Sequence, residues 1–170
     1  IDFKVKKGEV VGVIGGTGSG KTSLVNLIGR FYDVCDGVVK VNGVNVKEYP
    51  TDILRDKIGI VPQKAVLFRG TVRDNMKWGN ECATDKEILE AISIAQASDV
   101  LSSKPDGLDA YIEQGGKNLS GGQRQALTLL MSTLQKPDLL LLDEHTAALD
   151  PKTASRVLEL TKKFIEEDHL

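Results

Sequence analysis

The segment that most constrains this chain is residues 15–22, GGTGSGKT, placed between the β-branched run VVGVI at 10–14 and the helically patterned stretch 22–30. A turn of the form GxxxxGK[ST] carries chemical meaning when it follows a strand and opens a helix, and both neighbours are written here. The glycines allow a tight curl with backbone N–H groups directed inward, so residues 18–22 offer several donors to one anion at a helix N-terminus. Lys21 adds a full positive charge, and Thr22 a hydroxyl suited to a hard cation such as Mg2+. The expected phosphate-binding set is Gly15, Gly16, Thr17, Gly18, Ser19, Gly20, Lys21, Thr22 and Ser23.

The rest of the pattern is that of an α/β domain. In 170 residues there is room for one core. The balance of 41% hydrophobic and 27% charged residues is that of a globular chain, and a net charge of -2 supplies no general field for nucleic acid. Two cysteines without CxxC spacing, Cys35 and Cys82, argue against a disulfide framework or a zinc site. No apolar run approaches the roughly twenty residues of a membrane-spanning helix. The chain opens on IDFKVKKGEV, an alternating strand pattern. Residues 10–14 predict a buried parallel strand, 38–46 (VVKVNGVNV) a hairpin turning on Asn42-Gly43, and 58–61 a strand stopped by Pro62. From about residue 71 to 101 the pattern becomes helical and amphipathic, as a small helical insertion would be. A helix over 123–134, a buried strand over 139–142 and a helix over 152–167 complete the alternation.

A phosphate loop serves kinases, GTPases, motors and transporters alike, so by itself it says only nucleotide. The run LSGGQ at 119–123 narrows the field. Ser120, followed by Gly121 and Gly122 at a helix start, is a second place where amides, a hydroxyl and a helix dipole converge on an anion. The run LLLLDEHTAALD at 139–150 adds two acids at the end of a strand.

Together these segments resemble the ATP-binding cassette ATPases over nearly the whole chain and in the family's order. GGTGSGKT is similar to the phosphate loop, Gln63 after IGIVP to the Q-loop, LSGGQ to the signature, LLLLDE to Walker B and AALD to the D-loop. The resemblance implies a phosphate-loop NTPase core with a mostly parallel sheet, an antiparallel hairpin region and a helical subdomain at about 71–125 within a domain over 1–170. It implies ATP with Mg2+ held between the phosphate loop of one such domain and Ser120, Gly121, Gly122 and Gln123 of a second, as a homo- or heterodimer. Thr22, Gln63 and Asp143 are then the expected metal-side residues. Glu144 is the general base or water-orienting group, assisted by Gln63, and Asp150 works across the dimer. The implied activity is ATP hydrolysis powering transmembrane transport, through a fused transmembrane domain or a permease subunit at the cytoplasmic face of the cell membrane.

The family usually carries Pro where this chain has His145, which makes His145 the least expected catalyst of its cluster. The resemblance also implies an adenine-stacking aromatic before Ile1 and a switch histidine beyond the final helix, so a fragment truncated at both ends is expected. Residues LFRGTVRDNMKWG and IEQGGKNLSGGQRQ resemble heterodimeric multidrug exporters, whereas the chain from Ala126 resembles separate uptake-type ATPase subunits. A DNA-repair ATPase of the superfamily would carry a long arm between phosphate loop and signature; only 55 residues separate Gln63 from Leu119, and no nucleic-acid partner is expected. The alternative function is a nucleotide-dependent dimerisation or regulatory module with little hydrolysis.

Overall fold

Two short apolar segments, IGIV and LLLL, form the centre of the fold, with one hydrophobic cluster packed on each of their faces. The computed structural model describes residues 1–94 and 106–144, together with Pro151, Ser155 and Glu159. Strand β3 (Ile58–Val61) pairs in parallel with β6 (Leu139–Leu142), in register from Ile58 opposite Leu139 to Val61 opposite Leu142. A parallel pair needs a long crossover, and the intervening chain supplies helices for it.

Side chains alternate across this pair, which explains why both strands are apolar without alternation in sequence. Val61, Leu140 and Leu142 face a cluster containing Leu67, Val72, Met76, Ile88, Ile112, Leu127 and Leu130. Ile58, Ile60 and Leu141 face a smaller cluster with Val41, Val46 and Leu54. Strand β6 is half-buried along its length, not fully buried as its four leucines predict, because β3 is its sole strand partner among the described residues.

The larger cluster is built on α5 (Gly121–Thr133), which lies against β3 and against α3 (Val72–Gly79). The Ser132 hydroxyl lies 2.8 Å from the Ile60 carbonyl, tying the last turn of α5 to the strand. Helix α3 approaches α5 so closely that a Cβ on Gly79 would stand 2.0 Å from the Met131 carbonyl oxygen, a position only glycine can occupy. The antiparallel pair β4 (Gly70–Thr71) with β5 (Tyr111–Ile112) and helix α4 (Asp85–Ile94) complete this side.

On the opposite face, β1 (Lys40–Val41) and β2 (Val44–Asn45) form the predicted hairpin, with positive φ at Asn42 (51°) and Gly43 (80°) as a type I′ turn requires. Helix α1 (Lys21–Ile28) follows the glycine-rich turn as predicted, and α2 (Thr51–Asp56), absent from the sequence prediction, brings Leu54 into the smaller cluster.

The predicted strand at 10–14 is not formed. The segment has no ladder partner, and Val10 and Ile14 are 76% and 99% exposed. β-branched residues favour strands because they fit a half-buried pleated surface; without a neighbouring strand there is nothing for them to fit. The opening decapeptide is likewise not a strand. Of the helix predicted over 152–167, Ser155 and Glu159 are helical, as is Pro151 just before it; its other residues, and the end of the 71–101 insertion, lie outside the described residues.

Charged side chains fasten the helical side. Arg73 on α3 grips Asp85 through paired contacts of 2.8 and 3.0 Å and also bonds Asp109. The guanidinium holds the Asp85 carboxyl below its ordinary value, and the N–H and hydroxyl of Thr71 do the same for Asp74 at the start of α3. Both carboxyls bind protons less readily folded than unfolded. Their contribution is therefore present at neutral pH and is lost as pH falls through and below the ordinary carboxylate range. The thermal midpoint should be flat from neutrality to about pH 5 and fall below about pH 4, and Arg73→Met should flatten that acid limb in calorimetry. Gly79→Ala should lower the unfolding free energy by about 2 kcal/mol or more in denaturant titration, since the Met131 backbone must move.

Candidate active site

The parallel pair ends where the chemistry begins. The Asp143 N–H donates to the Val61 carbonyl at 3.0 Å, one step past the last paired residues, so Asp143 is fixed by the same ladder as the strand before it. It is 8% exposed. Gln63 leaves β3 two residues after Val61, at the same edge, as strands running in parallel must place their C-terminal ends. Glu144 follows Asp143 with φ of 46°, a left-handed conformation that an L side chain adopts at a cost of about 1 kcal/mol.

The glycine-rich loop lies across from these residues. Gly18 (80°) and Gly20 (90°) have positive φ; Gly20 caps α1, and the Leu24 N–H donates to its carbonyl at 2.9 Å in the first helical bond. The Ser19 N–H closes a turn on the Gly16 carbonyl at 3.2 Å. Gly15, Gly16, Thr17, Gly18, Ser19 and Gly20 are exposed, as are Thr22 and Ser23 on the first turn of α1. The first N–H groups of that helix have no intrahelical acceptor and are available to an anion.

Three of the predicted residues meet directly. Lys21 donates to the carbonyls of Gly15 (2.7 Å) and Gly16 (3.1 Å) and lies 3.0 Å from Glu144 Oε1. Gln63 Nε2 donates to Glu144 Oε2 at 3.0 Å. The Lys21 and Glu144 side chains are 18% and 41% exposed, so solvent screens the pair and its net contribution is about 1 kcal/mol or less.

Ser120 and Gln123 form a separate unit at the head of α5. The Ser120 hydroxyl accepts from the Gln123 N–H (3.2 Å), and the Gln123 side chain accepts from the Ser120 N–H (2.9 Å), a reciprocal cap. Since the hydroxyl oxygen is the acceptor, its hydrogen remains a donor. Gly121 and Gly122 form the first turn. Arg124 holds the preceding loop through the carbonyls of Leu119 (2.6 Å) and Gly116 (3.3 Å). The bonds of Ser120 and Gln123 stay within their own turn and do not reach Lys21, Gln63 or Glu144. His145 and Asp150 lie outside the described residues.

Sequence reasoning missed two positioning residues. Asn75, buried on α3, accepts from the Phe68 N–H (2.8 Å) and donates to the carbonyls of Phe68 and Thr71 (2.9 Å each), fixing the chain that leads away from Gln63. Arg124 is the other. A polar residue at the fifth position of TVRDN, just inside a capping box, was the available signal for Asn75.

The donor set at this edge suits a hard cation only in part. Asp143 and Thr22 offer a carboxylate and a hydroxyl, and no group of three or more His, Cys, Asp or Glu capable of holding a metal occurs among the described residues. Mg2+ takes such oxygens when phosphates and water complete its octahedron, so the residues fit a metal that arrives with a nucleotide.

A family model described as ABC transporter matches residues 1–147. Multidrug export ATP-binding/permease proteins of Staphylococcus aureus strains NCTC 8325 / PS 47 and COL are each 42% identical over 159 residues, covering 94% of this chain and 28% of the relative. The chain thus spans 28% of the length of these curated relatives. A bacterial Atm1-family ABC exporter solved with ATP bound superposes with a TM-score of 0.86 at 33% identity, over 94% of this chain and 28% of that one. Gln123→Ala should remove the reciprocal cap and cost about 1 kcal/mol of unfolding free energy, measured by denaturant titration.

Proposed function

Because the chain belongs to the ABC transporter family, we propose that it is the ATP-binding and ATP-hydrolysing domain of an exporter. The observation that carries this is the meeting of Lys21, Gln63 and Glu144 beside the buried Asp143, which joins the phosphate loop to the ends of both central strands. The exporter direction is supported by relatives matched over 159 residues, a span that extends past Ala126. No described helix is long and apolar enough to cross a membrane, so on this reading transport also needs a transmembrane partner or fused domain, with the chain at the cytoplasmic face.

Residues 15–23 would receive the phosphates, with amides of the loop and of the first turn of α1 as donors and Lys21 as the opposing charge. Thr22 and Asp143 would hold Mg2+, with Gln63 beside them; bound there, the ion neutralises charge on the phosphate oxygens. Water attacks the γ-phosphorus, the bond to the β–γ bridging oxygen breaks with its electron pair leaving on ADP, and Glu144 accepts the proton. The second domain of a homo- or heterodimer would present Ser120, whose free hydroxyl hydrogen is suited to a phosphate oxygen, with the amides of Gly121 and Gly122 at a helix N-terminus. Asp150 would act across the same interface, and residues at about 71–125 would form the helical subdomain.

Two substitutions test the assignment. Lys21→Ala should weaken ATP binding at least tenfold in calorimetric titration, as loss of a charged contact worth about 1.5–3 kcal/mol would. Glu144→Gln should leave ATP bound and reduce steady-state phosphate release by 100-fold or more, the scale of a lost general base. Unchanged turnover in Glu144→Gln would exclude Glu144 as the base and favour nucleotide-dependent dimerisation with little hydrolysis.

A further inference from the structure

We propose that Glu144 and phosphate compete for Lys21: the carboxylate is latched on Lys21 and Gln63, and the arrival of phosphate on Lys21 releases it for its work on water. The inference deepens the reading of residues 15–22 as a phosphate site and depends on it. An ammonium has three donors, and those of Lys21 have three acceptors in place, the carbonyls of Gly15 and Gly16 and Glu144 Oε1. A phosphate oxygen must therefore displace one of them. The carbonyls belong to the loop itself, whereas Glu144 comes from the other end of the chain.

Glu144 is held at both oxygens. Oε1 is on Lys21 and Oε2 on Gln63, so the carboxylate keeps acceptor capacity toward solvent but is fixed in place by two contacts. Its backbone is in the left-handed region, which favours glycine. The side-chain contacts on both oxygens accompany that unfavourable conformation. Because the pair is partly exposed, its attraction is modest and a polyanion supported by the α1 amides outcompetes it. The cation that receives the phosphates is thus the one that occupies the base, and the base is freed in the order the reaction needs.

The test is ADP affinity without Mg2+, in EDTA, measured by calorimetry on the intact protein, because this ligand engages the phosphate loop without chemistry. Glu144→Gln weakens the latch by removing its charge, and Glu144→Asp keeps the charge but withdraws it by one methylene. Both should bind ADP about two- to fivefold more tightly than wild type, the scale of a screened ion pair. Tightening in Glu144→Gln alone would mean that the field of the charge acts without a latch, and no tightening in either folded variant would also overturn the proposal. Thermal melts establish that each variant is folded. Equal ADP affinity in Lys21→Ala and wild type would instead overturn the phosphate-loop reading, and the latch with it.

Discussion

The parallel pairing of β3 with β6 is the constraint on which the candidate site depends. Four residues on each strand are joined, and the Asp143 N–H adds one further bond to Val61. Because the strands run the same way, whatever follows each of them emerges at one edge, which is how Gln63 and Glu144, 81 residues apart, come within a hydrogen bond. A register slip of one residue would exchange the faces of Leu140 and Leu142 with that of Leu141, setting both hydrophobic clusters against it.

Helix α5 carries this order to a distant place. Its last turn is tied to β3 through Ser132 and to α3 through the glycine-lined contact at Met131, while its first turn presents Ser120 and Gln123. Thirteen helical residues span about 20 Å, so one rigid element links the central strands to the signature turn. Its polar N-terminus is held by its own capping box and by Arg124, next to Leu119 in the larger cluster.

Elements whose cause is local were legible in the sequence. The Asn42-Gly43 hairpin, the strand at 58–61 and the helix opened by Gly20 and Lys21 each follow from turn chemistry or a short apolar run, and each formed where predicted. The segment at 10–14 was misjudged for the complementary reason. Its valines state a preference for a pleated, covered surface, and no neighbouring strand among the described residues supplies one. The leucines of β6 likewise predict full burial, but the number of strands beside them decides how much they achieve.

The candidate site divides along the same line. The sequence by itself determined which groups are present: a glycine-rich turn with Lys21 and Thr22, a serine with two glycines at a helix start, and two adjacent acids after four leucines. Each of these is a property of neighbouring residues, whose spacing along the backbone is set by covalent geometry. Only the tertiary structure decided that Lys21 meets Glu144, that Gln63 takes the other oxygen, and that Asn75 fixes the chain leading away from Gln63. Those contacts join residues from separate segments, and their distances are set by how β3, β6, α1 and α3 are positioned, which no local pattern encodes.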